Sequence, residues 1–119
     1  PSDAIALKIV VYRILKNIDP TEDDFIPYSR LYPDNARYRT LCKAYSLSFY
    51  DSVQNAKISW QSSIDRENLI GEYLGKYEIK ENDGKNSYNS NTGHYSSWFF
   101  KSWNLQEFKP SKVVKINDN

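Results

Sequence analysis

Apolar and polar positions along this chain recur with two different periods, and the periods mark out its elements. Residues 5–16, IALKIVVYRILK, are near-continuously apolar and rich in β-branched side chains. That pattern predicts a central strand covered on both faces. Asn17 to Pro20 ends it. Thr21 opens TEDD, a capping signature in which Thr21 and Asp24 satisfy each other's backbone, and Pro27 limits the helix to a turn or two. Residues 30–43 are irregular and basic, with a turn at Pro33-Asp34-Asn35. Residues 44–50, AYSLSFY, alternate, with Tyr45, Leu47 and Phe49 on one face of a half-buried strand. Asp51, followed three residues later by Gln54, reads as a helix N-cap. Val53, Ala56, Trp60 and Ile64 follow at helical spacing, so a helix is predicted over about 52–64 with those four inward. Residues 68–81 form a long strand with Gly71, Tyr73, Gly75, Tyr77 and Ile79 on one face. Residues 81–93, ENDGKNSYNSNTG, are polar enough to predict a long loop. HYSSWFF, 94–100, is a strand with bulk on both faces. Asn104 with Glu107 caps a short turn, SKVVKI, 111–116, is a closing strand, and 117–119 is a frayed tail.

Strands outnumber helices, and the one long helix joins two strands. The expected fold is α+β: a single domain over residues 1–119, a curved, mostly antiparallel sheet with the 52–64 helix packed on it and short helical turns elsewhere.

Composition sharpens this. Ten tyrosines stand against five phenylalanines. Each buried tyrosine needs a partner for its hydroxyl, so several are expected at half-exposed edges. Net charge is +1, which supplies no global field for nucleic acid or an acidic membrane. One cysteine and one histidine exclude an internal disulfide and disfavour a zinc site. No apolar run has the roughly 18 residues of a membrane span, and no signal-peptide pattern stands at the start, so a cytoplasmic location is expected.

Standard catalytic motifs are absent: there is no phosphate-binding glycine loop, no Gly-x-Ser-x-Gly elbow and no paired histidines. Asp23 and Asp24 are explained by helix capping. A Cys42/His94 dyad requires the two to meet in the fold. Arg30, Arg37, Arg39 and Lys43, interleaved with Tyr32 and Tyr38, could meet phosphates or form a solvated loop. His94 itself reads either as a proton carrier at a groove or as a strand-end residue bonded to a backbone carbonyl.

Three blocks carry a resemblance. VYRI, YSLSFYDSVQNA, and GHYSSW followed by a short turn and SKVVKI resemble a group of small uncharacterised bacterial proteins. Their order is similar to that of the ADP-ribosyltransferase fold. The resemblance implies NAD as cofactor, held by Arg13 on the first strand and by Ser48 at the end of the serine strand. His94 and Tyr95 fall where that family carries its catalytic glutamate, so a carboxylate is missing there. Two functional readings follow. The first is a nucleotide- or NAD-binding, ADP-ribosyltransferase-like domain with Arg13, Ser48, His94 and Tyr95 lining a groove between strand one and the HYSSW strand. The second is a non-enzymatic protein-binding module (antitoxin, immunity or regulatory protein), using Trp98, Phe99, Phe100 and Trp103 as surface anchors.

Overall fold

The computed structural model describes residues 4–27, 34, 45–62 and 71–116. Among these, six strands form one antiparallel sheet: β1 (Ile9–Leu15), β2 (Leu47–Tyr50), β3 (Tyr73–Ile79), β4 (Gly84–Asn89), β5 (His94–Phe99) and β6 (Lys112–Lys115). Their order across the sheet is β4-β5-β2-β1-β3-β6. A single α-helix, α1 (Val53–Ser62), and 3-10 turns at Glu22–Phe25 and Leu105–Glu107 complete the described elements. The α+β class is the one the apolar pattern predicts.

β1 lies inside the sheet, but it is less covered than its apolar run predicts: Val11 and Leu15 are buried on one face, Tyr12 and Ile14 are half-buried on the other, and Val10 stays 49% exposed. It pairs with β3 along its whole length, from Ile9 opposite Ile79 to Leu15 opposite Tyr73. With β2 it shares only the Tyr12–Tyr50 pair. The sheet is also strongly coiled. Ile5 exchanges two backbone hydrogen bonds with Asn86 of β4, at 2.9 and 2.7 Å. Asn86 faces Ser97, Ser97 faces Leu47, and Leu47 is three residues from Tyr50. Asn86 is therefore level with Leu15. In a flat sheet it would lie roughly 25 Å from Ile9, by strand rise and strand spacing. The four residues from Ile5 to Ile9 reach about 14 Å at most. Only a coiled sheet brings the start of β1 that close to the β4 edge.

The two faces bury different cores. Val11, Leu15, Leu47, Phe49, Tyr77 and Ile79 form one, with Phe25, Phe99, Trp103, Phe108 and Val113 packed onto it. Tyr77 stacks on Phe108 at 4.6 Å, and Phe25 meets Tyr77 edge-on at 5.8 Å. Gly75 sits on this face, and a β-carbon there would come within 2.8 Å of both Leu15 and the Tyr77 ring. Ala56 and Trp60 of α1 cover Leu74 and Ile116 on the opposite face, beside Tyr12, Ile14 and Tyr50. The Trp60 indole donates to the Gly71 carbonyl at 2.7 Å, which fixes the helix on the sheet. Each large side chain so buried stabilises by about 1.5–3 kcal/mol.

Several sequence expectations are corrected. The polar 81–93 stretch is not all loop: Gly84–Asn89 is β4, paired with β5 from Gly84–Phe99 to Asn89–His94. Pairing at a sheet edge overrides its poor strand propensity. The helix cap is Ser52, whose hydroxyl accepts from the Asn55 backbone N–H at 3.1 Å, one residue later than the Asp51 cap expected. Val53 faces solvent on the first turn, while Ala56 and Trp60 point inward as expected. The predicted inward Ile64, the basic segment 30–43 apart from position 34, and Cys42 lie outside the described residues. No helix among the described residues is long and apolar enough to cross a membrane.

Candidate binding surface

Strand alternation decides where the four candidate site residues go. Arg13 and Tyr95 lie on the aromatic face of the sheet, flanking Phe49, which directly faces Tyr95. Ser48 and His94 lie on the other face, where Ser48 faces Ser96 and His94 faces Tyr50. β1 and β5 are separated by β2. The fold thus brings Arg13 near the backbone of Ser48, and His94 near Tyr50, but does not gather the four side chains around one groove.

Arg13 is bound by its own chain. Its Nε donates to the Asp24 carbonyl at 2.9 Å, one terminal nitrogen to the same carbonyl at 2.6 Å, and the other to the Ser48 carbonyl at 2.8 Å. The guanidinium lies over the rings of Phe25 and Phe49, 5.2 and 5.5 Å from their centroids. It stands where the short β1–β2 ladder has run out, and its fork ties β2 to the turn that follows β1. The turn is held from the other side by the buried Asp24 carboxylate. That carboxylate accepts from the backbone of Lys16 at 2.6 Å, the backbone of Thr21 at 3.0 Å and the amide of Asn17 at 3.1 Å. Beneath the same cluster, the Tyr77 hydroxyl is buried without a hydrogen-bond partner among the described residues. Burial pushes its pKa well above the ordinary tyrosine value.

At the other end of β2, Asp51 forms a second polar cluster. Its backbone N–H donates to the Gly93 carbonyl at 2.8 Å. Its carboxylate accepts from the Tyr88 hydroxyl at 2.6 Å and the Asn55 amide at 2.8 Å. Gly93 permits this approach: its φ is +72°, and a β-carbon would lie 2.3 Å from both the Asp51 carboxylate and the Asn55 amide. The bonds from Tyr88 and Asn55 hold the Asp51 pKa below its usual value. The same bond raises the pKa of Tyr88, and burial, followed by the Asp51 charge, raises that of Tyr95. Tyr88 and Tyr95 lie ring against ring at 4.5 Å. On the opposite face His94 meets Tyr50 edge-on at 5.3 Å, and the Tyr50 hydroxyl pairs with Ser59 at 2.6 Å. The sequence pointed to His94 and Tyr95 but missed Asp51 and Tyr88. No local signal marks the pair, because Tyr88 is the sole large apolar side chain in the polar segment 84–93 and meets Asp51 only through the pairing of β4 with β5 and β2.

The third feature is an aromatic ribbon at the end of β5 and in the turn that follows it. Trp98, Phe99 and Trp103 are half-buried and Phe100 is 41% exposed. Phe99 stacks on Trp103 at 4.0 Å, and Trp103 meets Phe108 at 5.3 Å. A backbone bond from Trp103 to the Phe100 carbonyl, 3.0 Å long, closes the turn and holds Phe100 outward. Phe108 then forms the floor, with Phe25 and Val113, of an open hollow of about 380 Å³ between the two 3-10 turns. Asp19, Glu22 and Lys109 also line it, and Gln106 bridges to Glu22 across it at 3.2 Å. Sequence reasoning did not find this hollow, because its walls come from segments more than 80 residues apart.

No protein family matches this chain, and neither a curated protein nor a solved structure is significantly similar to it.

Proposed function

We propose that this protein is a non-enzymatic binding module of the antitoxin, immunity or regulatory kind, which recognises a protein partner through the aromatic ribbon 98–108. The observation that carries this reading is the exposure of Phe100 beside the half-buried Trp98, Phe99 and Trp103. Aromatic side chains held rigid at a surface give large contact area with little ordering cost, which is the character of binding hot spots. Two of the four rings, Phe99 and Trp103, are already fixed by one another and by Phe108, so a partner need not order them. The adjoining hollow offers a recess for one apolar side chain of the partner.

The nucleotide reading is the other proposal from sequence. The arrangement of Arg13 favours it less, because the guanidinium that would fork onto a phosphate is engaged by two backbone carbonyls. The two readings separate in one experiment. Immobilised wild-type chain and the Phe100→Ser variant are exposed to the same cell extract, and bound proteins are quantified. The reading expects a protein retained by wild type and depleted at least tenfold with Phe100→Ser, while both melt at the same temperature. Equal capture by the two chains, together with saturable binding of NAD or ADP-ribose, would turn the assignment toward the nucleotide reading.

A further inference from the structure

Among the described residues one buried side-chain polar atom lacks a hydrogen bond, and it lies beneath the hollow. Tyr77 is 1% exposed, and its hydroxyl is the atom left over. Its place follows from the sheet register. On the aromatic face Gly75 stands between Arg13 of β1 and Val113 of β6. The far end of the Tyr77 ring fills the space that Gly75 leaves. A β-carbon at Gly75 would lie 2.8 Å from Cε2 of that ring and 3.5 Å from Cζ, the carbon that carries the hydroxyl. Phe108 stacks on the ring at 4.6 Å, and Phe25 meets it edge-on at 5.8 Å. Phe25, Phe108 and Val113 are also the side chains that floor the hollow. All three are half-buried, so the cover between the hollow and Tyr77 is one side chain thick. A buried hydroxyl without a partner is a standing cost that phenylalanine would not carry. Sites that give up stability for function show this signature.

We infer that the hollow is a small-molecule site, and that its ligand is a flat, neutral ring compound whose hydroxyl or carbonyl group bonds to the Tyr77 hydroxyl. The volume of about 380 Å³ falls within the range of small-molecule pockets, about 300–1,000 Å³. The floor sets the shape: Phe25 and Phe108 stand edge to face at 5.9 Å, and a flat ring extends that packing. The surroundings set the charge. A charged group is disfavoured in so apolar a place. Asp19 and Glu22 outnumber Lys109 at the rim, which turns an anion away. The Arg13 guanidinium, on the strand beside Gly75, is already bonded to the Asp24 and Ser48 carbonyls. Burial keeps the Tyr77 hydroxyl protonated, so it donates to an oxygen of the ligand. The ligand reaches it by pushing Phe108 or Val113 aside, which makes a minor conformer the dominant one. The inference does not depend on Phe100, whose exposure carries the ribbon reading.

The test follows binding of p-cresol, and of toluene as the same ring without its hydroxyl, by NMR at the Val113 methyl groups and the Phe108 ring. The p-cresol-to-toluene affinity ratio is expected to fall about fivefold or more from wild type to Tyr77→Phe, the effect of one buried hydrogen bond. Tyr77→Phe is expected to melt no lower than wild type, which separates lost binding from lost folding. Phe100→Ser is expected to keep the wild-type ratio, so a failure of the ribbon reading leaves this result standing. An unchanged ratio in Tyr77→Phe overturns the proposal. So does the absence of shifts at Val113 and Phe108 with p-cresol in excess, since water would then be the sole occupant. N-acetyltyrosine amide binding more tightly than p-cresol would make the ring a peptide side chain and overturn the small-molecule assignment.

Discussion

Replacing Arg13 with alanine should unfold this protein more readily rather than strip it of a ligand. The guanidinium makes three hydrogen bonds to the Asp24 and Ser48 carbonyls and lies over two aromatic rings. Its removal leaves two part-buried carbonyls short of a donor, each costing about 1 kcal/mol at the lower end of the range for partly wetted groups. The lost contact with Phe25 and Phe49 adds roughly 1 kcal/mol more. The sum, about 3 kcal/mol, is a large share of the 5–15 kcal/mol by which domains of this kind are stable. It corresponds to a fall of roughly 10–15 °C in Tm for a domain of about this size. Arg13→Lys keeps a cation near the rings but cannot fork onto both carbonyls, so its loss should be about half as large. Thermal and urea unfolding of the three chains measure this. An Arg13→Ala chain melting within about 2 °C of wild type refutes the reasoning, since its bonds would then be replaceable by water at no cost.

Other substitutions test other parts. Tyr77→Phe removes a hydroxyl buried without a partner among the described residues, so stability should hold or rise by up to about 1 kcal/mol; a clear loss in urea unfolding would show that the hydroxyl is satisfied. Gly93→Ala forces a β-carbon against Asp51 and Asn55 at a positive φ, and should cost at least about 1–3 kcal/mol, detectable as a lowered Tm. The acid limb should depend on Asp51: its folded pKa is depressed, so its contribution is present above the ordinary carboxylate range and is lost as pH falls through the folded value. Asp51→Asn should therefore flatten the fall in stability below about pH 4; an unchanged acid limb contradicts this. On the basic side the raised pKa values of Tyr50, Tyr77, Tyr88 and Tyr95 mean that the unfolded chain loses protons first. Stability should fall as pH rises above about 10, followed by circular dichroism.

Much of the fold was legible because its signals are local. The β-branched run of β1, the alternation around Tyr73 to Ile79 and the helical spacing of Ala56 and Trp60 each need only their own segment to be read. β4 was not legible, because Gly84–Asn89 is polar and becomes a strand through its pairing with β5. Asp51 reads as a cap because Gln54 follows three residues later, but the neighbouring Ser52 takes that place, and the Asp51 carboxylate accepts instead from Tyr88 across the sheet and from the Asn55 side chain. Arg13 shows the limit most clearly. Its place on the first strand is plain from the sequence, but its partners are backbone carbonyls, which no side-chain pattern advertises. The hollow beside Phe108 has the same origin, since turns from opposite ends of the chain build it.

The aromatic ribbon is the centre of the account, and an NMR footprint of the captured partner tests it most directly. The indole N–H signals of Trp98 and Trp103 and the amide of Phe100 should shift on binding. The Trp60 indole, buried and bonded to the Gly71 carbonyl, should stay still and serve as an internal control. A footprint that leaves Trp98, Phe100 and Trp103 unmoved while a partner binds elsewhere on the sheet would contradict the assignment.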